Sequence, residues 1–222
     1  MHVADGILSG PVLAVGFVGT IALAAYTLRK VDLEDIPKIS VVTSAFFVAS
    51  FIHIPIGVTS LHLILNGLIG IMLGMKAFPA ILLGITLQAI LFGHGGVSVI
   101  GVNTLMLGGG ALCAYGVWQL RHIITLPKLD HRENIIAFGG LAGATGIITS
   151  GFVLALALFT TGEAFWAMAG VAFAVHIPLM LVEGAVAATC VAFLLRIKPD
   201  ILTGHKTIAP KNKPAPDGDT PS

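Results

Sequence analysis

Long apolar runs separated by short polar breaks set the pattern of this chain. From Ile7 to Leu28, 22 residues pass without a charge, enough for a helix to cross a hydrocarbon core of about 30 Å. Read against charges, Gly/Pro breaks and turn residues, further runs follow at 39–56, 60–75, 77–92, 97–120, 135–160 and 168–195. The runs 60–75 and 77–92 are short and carry Gly70, Gly74 and Gly84, so they are expected to tilt or to pack inside the bundle. Merging them would lower the count of spans from seven to six. No repeat of the span pattern is evident, so an inverted-repeat architecture is not suggested. The predicted fold is all-α: a polytopic membrane helical bundle over residues 1–198, then a solvated, disordered tail, 199–222, rich in Pro, Lys, Asp and Gly.

Composition agrees with this pattern: 56% of residues are hydrophobic, 10% are charged, and mean hydropathy is +0.97, which excludes an ordinary soluble domain. No basic residue precedes the first run, which carries Asp5 ahead of it, so no cleaved signal peptide is expected and the N-terminus should persist. Cys113 and Cys190 both lie in apolar runs and form neither a disulfide framework nor a metal-knuckle spacing. The net charge of +1 points to no nucleic-acid partner. Placement of the charges is more informative. With seven spans and an outside N-terminus, all 12 Lys and Arg residues, including Lys38, Lys76, Arg121 and Arg196, fall on the cytoplasmic side. Six spans would leave Lys76 inside a span and split the basic segments, so the reading is seven transmembrane helices, N-terminus out and C-terminus cytoplasmic.

Candidate chemistry begins at Met1 and His2. The terminal amine, the His2 amide nitrogen and the His2 imidazole Nδ1 can close a five- and a six-membered ring on one ion. This nitrogen-rich set suits Ni²⁺, Co²⁺ or Cu²⁺ over Mg²⁺ or Ca²⁺. The competing reading of His2 is an exposed terminal residue. On the span map His2, His62 and His94 lie at the outer side, with His53 near it, whereas His122, His131 and His205 lie inside and His176 lies within the last span. The stretch 51–62 joins a Pro55/Gly57 break to a Thr59-Ser60 turn, and His62 is expected to open the next helix. There it offers a fourth nitrogen for a square-planar site, or else serves as a polar boundary residue.

In Phe92-Gly-His-Gly-Gly96, glycines around His94 permit close backbone approach. His94 is then a transient ligand, a gate, or a loop tip without a role. Asn66, Gln88 and Asn103 are amides in apolar runs, read as hydrogen bonds between helices or as supports that orient an imidazole. Asp5 is the stronger candidate support for His2. Glu183 lies seven residues after His176, two turns along the same helical face, and is read either as a proton-coupling group or as bonded within the bundle. Small residues at Gly139, Gly140, Gly143 and Gly146 would let helices or a coupling subunit approach closely. No Walker-type Gly-x-x-x-x-Gly-Lys-Ser/Thr and no His-Glu-x-x-His occurs, so energy must come from partners and a zinc-peptidase-like enzyme is disfavoured.

Four spaced motifs carry a family likeness: Met1-His-Val-Ala-Asp-Gly-Ile-Leu-Ser9, Gly57-Val-Thr-Ser-Leu-His62, Gln88 through Phe92-Gly-His-Gly-Gly96 with Asn103, and His176-Ile-Pro178 with Glu183-Gly184. Over residues 1 to about 202 the chain resembles the CbiM/NikM family, substrate-capture components of energy-coupling-factor transporters for cobalt and nickel. The resemblance implies a seven-span bundle whose added N-terminal span inserts its tip, residues 1–6, into the binding pocket. It implies that Met1, His2 and His62 hold the ion near the outer face, with Asp5, His94, Asn66, Gln88 and Asn103 as possible supports or gates. It also implies a transmembrane coupling subunit, paired cytoplasmic ATPases that hydrolyse ATP, and a small accessory membrane subunit. The chain itself would be no enzyme and hold no permanent cofactor, its ligand being transported Co²⁺ or Ni²⁺ in a bacterial or archaeal plasma membrane.

Members commonly begin Met-His-Ile-Pro-Asp-Gly in the nickel branch and Met-His-Ile-Met-Glu-Gly in the cobalt branch. Here Asp5 matches the former and Ala4 neither, which leaves the metal open, and His94 stands where Asp is more frequent. The rival readings are a proton-coupled secondary metal carrier using Glu183 and an intramembrane metalloenzyme.

Overall fold

The computed structural model describes residues 2–50, 53–56 and 59–203. The first apolar run forms α1 (Gly10–Leu28), with Pro11 in its first turn, where a missing N–H costs nothing. Its buried stripe is Gly16, Thr20, Ala24 and Thr27, while Val15, Val18 and Ile21 point outward. That inverts the pattern of a soluble helix, as expected where the outside is lipid and small residues set the packing distance. The close approach is to α5 (Ile100–Leu120): a Cβ on Gly16 would lie 2.3 Å from the Val102 side chain. Thr20 Oγ1 donates to the Gly101 carbonyl at 2.6 Å across the same seam.

After a short 3₁₀ turn (Leu33–Asp35) comes α2 (Ile36–Ala49), followed by an antiparallel hairpin of β1 (His53–Ile56) and β2 (Thr59–His62) that pairs His53 with His62. Here the structure corrects the expected spans 39–56 and 60–75. Helix α2 stops at Ala49, and α3 (Asn66–Leu73) has only 8 residues, about 12 Å of helix. His62 ends a strand instead of opening a helix. Pro55 cannot continue a helical ladder and Ile54, Ile56 and Thr59 favour extended backbone. A hydrophobicity count alone does not separate a short buried strand from a helix.

Residues Asn66–Phe92 are apolar enough to be taken as one crossing, one of five long apolar helical stretches among the described residues, with Gly10–Leu28, Ile100–Leu120, His131–Thr161 and Glu163–Ile197. Gly74 interrupts this stretch, with φ +59° and ψ −130°. Above it, Asn66 reaches the Leu107 carbonyl, and Gly70 abuts Ala111. Gly74 itself faces Tyr115, and beyond it Phe78 packs on Gly108. The chain therefore descends along α5 as α3 and returns as α4 (Ala77–Phe92).

Two long helices complete the bundle, α6 (His131–Thr161) and α7 (Trp166–Ile197). The glycines singled out on α6 are used inside the bundle. Gly139 and Gly140 meet Val191 and Gly184 of α7, Gly143 meets both Ala187 and Gly67, and Gly146 meets Asn66.

The end of the bundle that holds Tyr115 is closed by residues assigned on composition to the tail. Pro199–Ile201 form a 3₁₀ turn and Leu202 is 1% exposed. The Thr203 amide donates to the Ile71 carbonyl at 3.0 Å, and the Thr203 carbonyl accepts from Trp118 Nε1 and from Arg121, each at 2.9 Å. Arg121 also lies over the Trp118 ring, 3.8 Å from its centroid, and burial pushes its guanidinium down to about 10. Lys76 pairs with Asp35, and Lys38 donates to the Ile201 carbonyl at 2.7 Å. Residues 199–203 pack here because Thr203 supplies an acceptor that buried Trp118 and Arg121 require.

Candidate metal centre

His2 is 3% exposed and Val3 is fully buried, so these two residues are packed into the protein. Asn103, in the first turn of α5, holds Val3 as a neighbouring strand would. Its Oδ1 accepts from the Val3 amide at 2.9 Å and its Nδ2 donates to the Val3 carbonyl at 3.2 Å. Two residues on, the Asp5 amide donates to the Gly95 carbonyl at 2.7 Å, and the Asp5 carboxylate accepts from the amide and hydroxyl of Ser98. Gly6, at φ +79°, then turns the chain toward α1. The tip is fixed at three residues: the α5 amide and both sides of the α4–α5 loop.

That loop requires glycine. Gly93 ends α4 in the left-handed region at φ +64°, and Gly95 and Gly96 follow at φ +79° and +107°. A Cβ on Gly95 would stand 2.9 Å from Asn103 Nδ2, and one on Gly96 2.0 Å from the Asp5 carboxylate. Between these glycines the His94 amide donates to the Gln88 carbonyl at 3.2 Å. The His94 ring meets the His2 ring edge to face, with centroids 4.5 Å apart and planes at 89°.

A second anchor comes from α7. Glu183, 2% exposed, accepts from the amides of Ile64 and Leu65, the latter at 3.0 and 3.1 Å to its two oxygens. Leu65 has φ +59°, a left-handed conformation rare outside glycine. It joins the end of β2 to the start of α3. Glu183 therefore accepts from backbone donors at a buried helix start that would otherwise go unpaired. The capped residues follow His62 by two and three positions.

The other amides tie helices together. Asn66 Nδ2 donates to the Leu107 and Gly146 carbonyls and to Ser150 Oγ, linking α3, α5 and α6. Gln88 Nε2 donates to Ser50 Oγ at 2.7 Å, joining α4 to the end of α2. His176 contacts the Ala172 carbonyl through Nδ1 and packs its ring on Gly151, and its Nε2 has no hydrogen-bond partner among the described residues.

Of the expected ligands, His2 is brought against His94. Met1 lies outside the described residues, and for His62 only the strand backbone is described. Among the described residues no group of three or more His, Cys, Asp and Glu side chains is gathered. Asp5 and Asn103, expected as supports, hold the tip itself. Sequence reasoning missed Ser98, which anchors Asp5 across 93 positions, and Ser50 and Ser150, which partner the buried amides. Isolated serines carry no pattern that could have singled them out.

A model of the cobalt uptake substrate-specific transmembrane region, CbiM, matches residues 2–201. A Haemophilus influenzae protein assigned to metal transport is 31% identical over 203 residues, covering 91% of this chain and 97% of that protein. The cobalt transport protein CbiM of Sorangium cellulosum is 29% identical over 91% of this chain and 94% of its own length. The fused nickel transport protein NikMN of Rhodobacter capsulatus is 29% identical over 97% of this chain and 66% of its own length. A crystal structure of a truncated transition-metal transporter shares the fold, with TM-score 0.72, 24% identity and coverage of 88% of this chain and 99% of that one. The match over nearly the whole chain, with the apolar helices that carry it, makes this a multi-pass membrane protein of the CbiM cobalt-uptake family.

Proposed function

We propose that this chain is the metal-capturing subunit of an ATP-driven importer of the energy-coupling-factor type for Co²⁺ or Ni²⁺. The ion is held by the Met1 amine, the amide nitrogen and imidazole of His2, and the imidazole of His62. The observation that carries this reading is the fixation of the tip. The clamp begins at the Val3 amide, one residue past the chelating atoms, and continues through Asp5. A chelate made of backbone and terminal nitrogens needs such an anchor, because no side-chain packing otherwise orients an amine.

Counting α3 and α4 as the arms of a hairpin gives seven helices, the N-terminus outside and the C-terminus in the cytoplasm. The positions of Lys38, Lys76 and Arg121 at the end closed by Thr203 support that orientation. The fused names NikMN and CbiMQ among relatives support work alongside other transport components. These are read as the coupling subunit, paired ATPases and an accessory membrane subunit, which leave capture as this chain's task. Glu183 is engaged by two backbone amides, which favours a structural role over the proton coupling that a secondary carrier would need.

Equilibrium binding of Ni²⁺ and Co²⁺ to the purified chain tests the site. Insertion of one residue between Met1 and His2, His2→Ala and His62→Ala are each expected to abolish high-affinity binding, and unchanged binding in all three refutes the chelate. Metal uptake by this chain alone in proteoliposomes, driven by a pH gradient without ATPases, would replace the importer reading with a carrier.

A further inference from the structure

Resting on that chelate, we propose that His94 supplies an additional nitrogen ligand outside the plane of the Met1, His2 and His62 donors, and that it thereby shifts the site from Ni²⁺ toward Co²⁺. Two imidazoles bound to one ion at right angles, with metal–nitrogen distances of about 2.0–2.1 Å, place each ring centroid about 3.2 Å from the ion and about 4.5 Å from the other. The His2 and His94 rings have that separation, 4.5 Å. His94 is also held where it stands. Its amide is bonded to Gln88, the next residue's carbonyl receives the Asp5 amide, and Gly93, Gly95 and Gly96 fix the loop in left-handed conformations. The bonds that seat the His2-bearing tip therefore also seat the loop carrying His94, so the two imidazoles share one frame.

The consequence is a matter of coordination number. Four nitrogens in a plane suit Ni²⁺, for which square-planar geometry is diagnostic. A fifth nitrogen removes that advantage, and Co²⁺ gains from the added donor. An edge-to-face ring pair also arises from packing alone, so the test must separate a nitrogen donor from an aromatic edge.

The full-length chain in detergent is loaded separately with Ni²⁺ and Co²⁺, and magnetic susceptibility, absorption and affinity are measured for wild type and His94→Phe, which keeps the edge and removes the nitrogen. Wild type is expected to give a paramagnetic, five-coordinate Ni²⁺ complex and His94→Phe a diamagnetic planar one. The Co²⁺/Ni²⁺ affinity ratio should move about tenfold toward Ni²⁺, the size seen when a supporting group at a metal site is lost. In a Cys113→Ala, Cys190→Ala background, His94→Cys should add a thiolate-to-cobalt charge-transfer band. The same magnetism and affinity ratio in wild type and His94→Phe, or no such band in cobalt-loaded His94→Cys, overturns the role of His94. High-affinity binding that survives His2→Ala instead overturns the chelate on which it rests.

Discussion

Removing the Glu183 carboxylate tests how the segment after His62 is held. In Glu183→Ala the amides of Ile64 and Leu65 lose their acceptor in a buried setting. Leaving a buried donor unpaired costs about 1–3 kcal/mol, so two such donors correspond to about 2–6 kcal/mol. At about 2–4 °C per kcal/mol for a chain of this size, the unfolding midpoint should fall by at least about 4 °C. Glu183→Gln keeps one acceptor oxygen in place of two, so it should lie near half that effect. Because the capped residues follow His62 by two and three positions, Ni²⁺ affinity should fall in the same order, Ala below Gln below wild type. Thermal unfolding in detergent and titration calorimetry with Ni²⁺ read the two quantities on the same samples. A midpoint within about 1 °C of wild type for Glu183→Ala, or a Gln variant as impaired as Ala, would refute the capping argument. A Gln variant that binds metal normally but fails in reconstituted transport would instead restore a protonation role.

Three further outcomes are expected. Gly96→Ala, whose Cβ would stand 2.0 Å from the Asp5 carboxylate at φ +107°, should displace the tip and weaken Ni²⁺ binding while leaving the helical circular-dichroism signal unchanged. Asn103→Leu removes both bonds to Val3 and leaves two buried backbone groups unpaired, a cost of about 1–3 kcal/mol each, so calorimetry should show metal affinity lowered at least about fivefold. Lys76 holds the Asp35 carboxyl below its ordinary value of 3.8, with the Asp32 backbone amide contributing. A depressed carboxyl stabilises the native state above its unfolded pKa and loses that contribution as pH falls through the folded value. Asp35→Asn should therefore lower the unfolding midpoint at neutral pH and leave it unchanged at a pH below the folded value, as measured by thermal scans across pH.

Much of the architecture is legible as one-dimensional hydrophobicity because transfer to lipid depends on the composition of each run. Helix α1, the α3–α4 stretch, and the long helices α5, α6 and α7 follow from apolar length, and the reversal over Gly74–Lys76 falls at the junction of the two short runs 60–75 and 77–92. The segment 53–62 is not legible in this way. Its isoleucines are as apolar in a strand as in a helix, and Pro55 only excludes a regular ladder. Pairing of His53 with His62 settles that segment.

For the proposed chelate, the sequence by itself supplied the candidate donors: an amine, an amide and an imidazole adjacent ahead of a membrane run, with His94 framed by glycines. Tertiary structure decided what those groups stand against. Asn103 reaches Val3 across 100 positions, Ser98 reaches Asp5 across 93, and Glu183 reaches Ile64 across 119. Each closure depends on two distant segments ending at the same depth of the bundle, which helix lengths, the Gly74 turn and the hairpin set jointly. A local pattern encodes what a residue can donate, whereas only the packed chain determines which donor it meets.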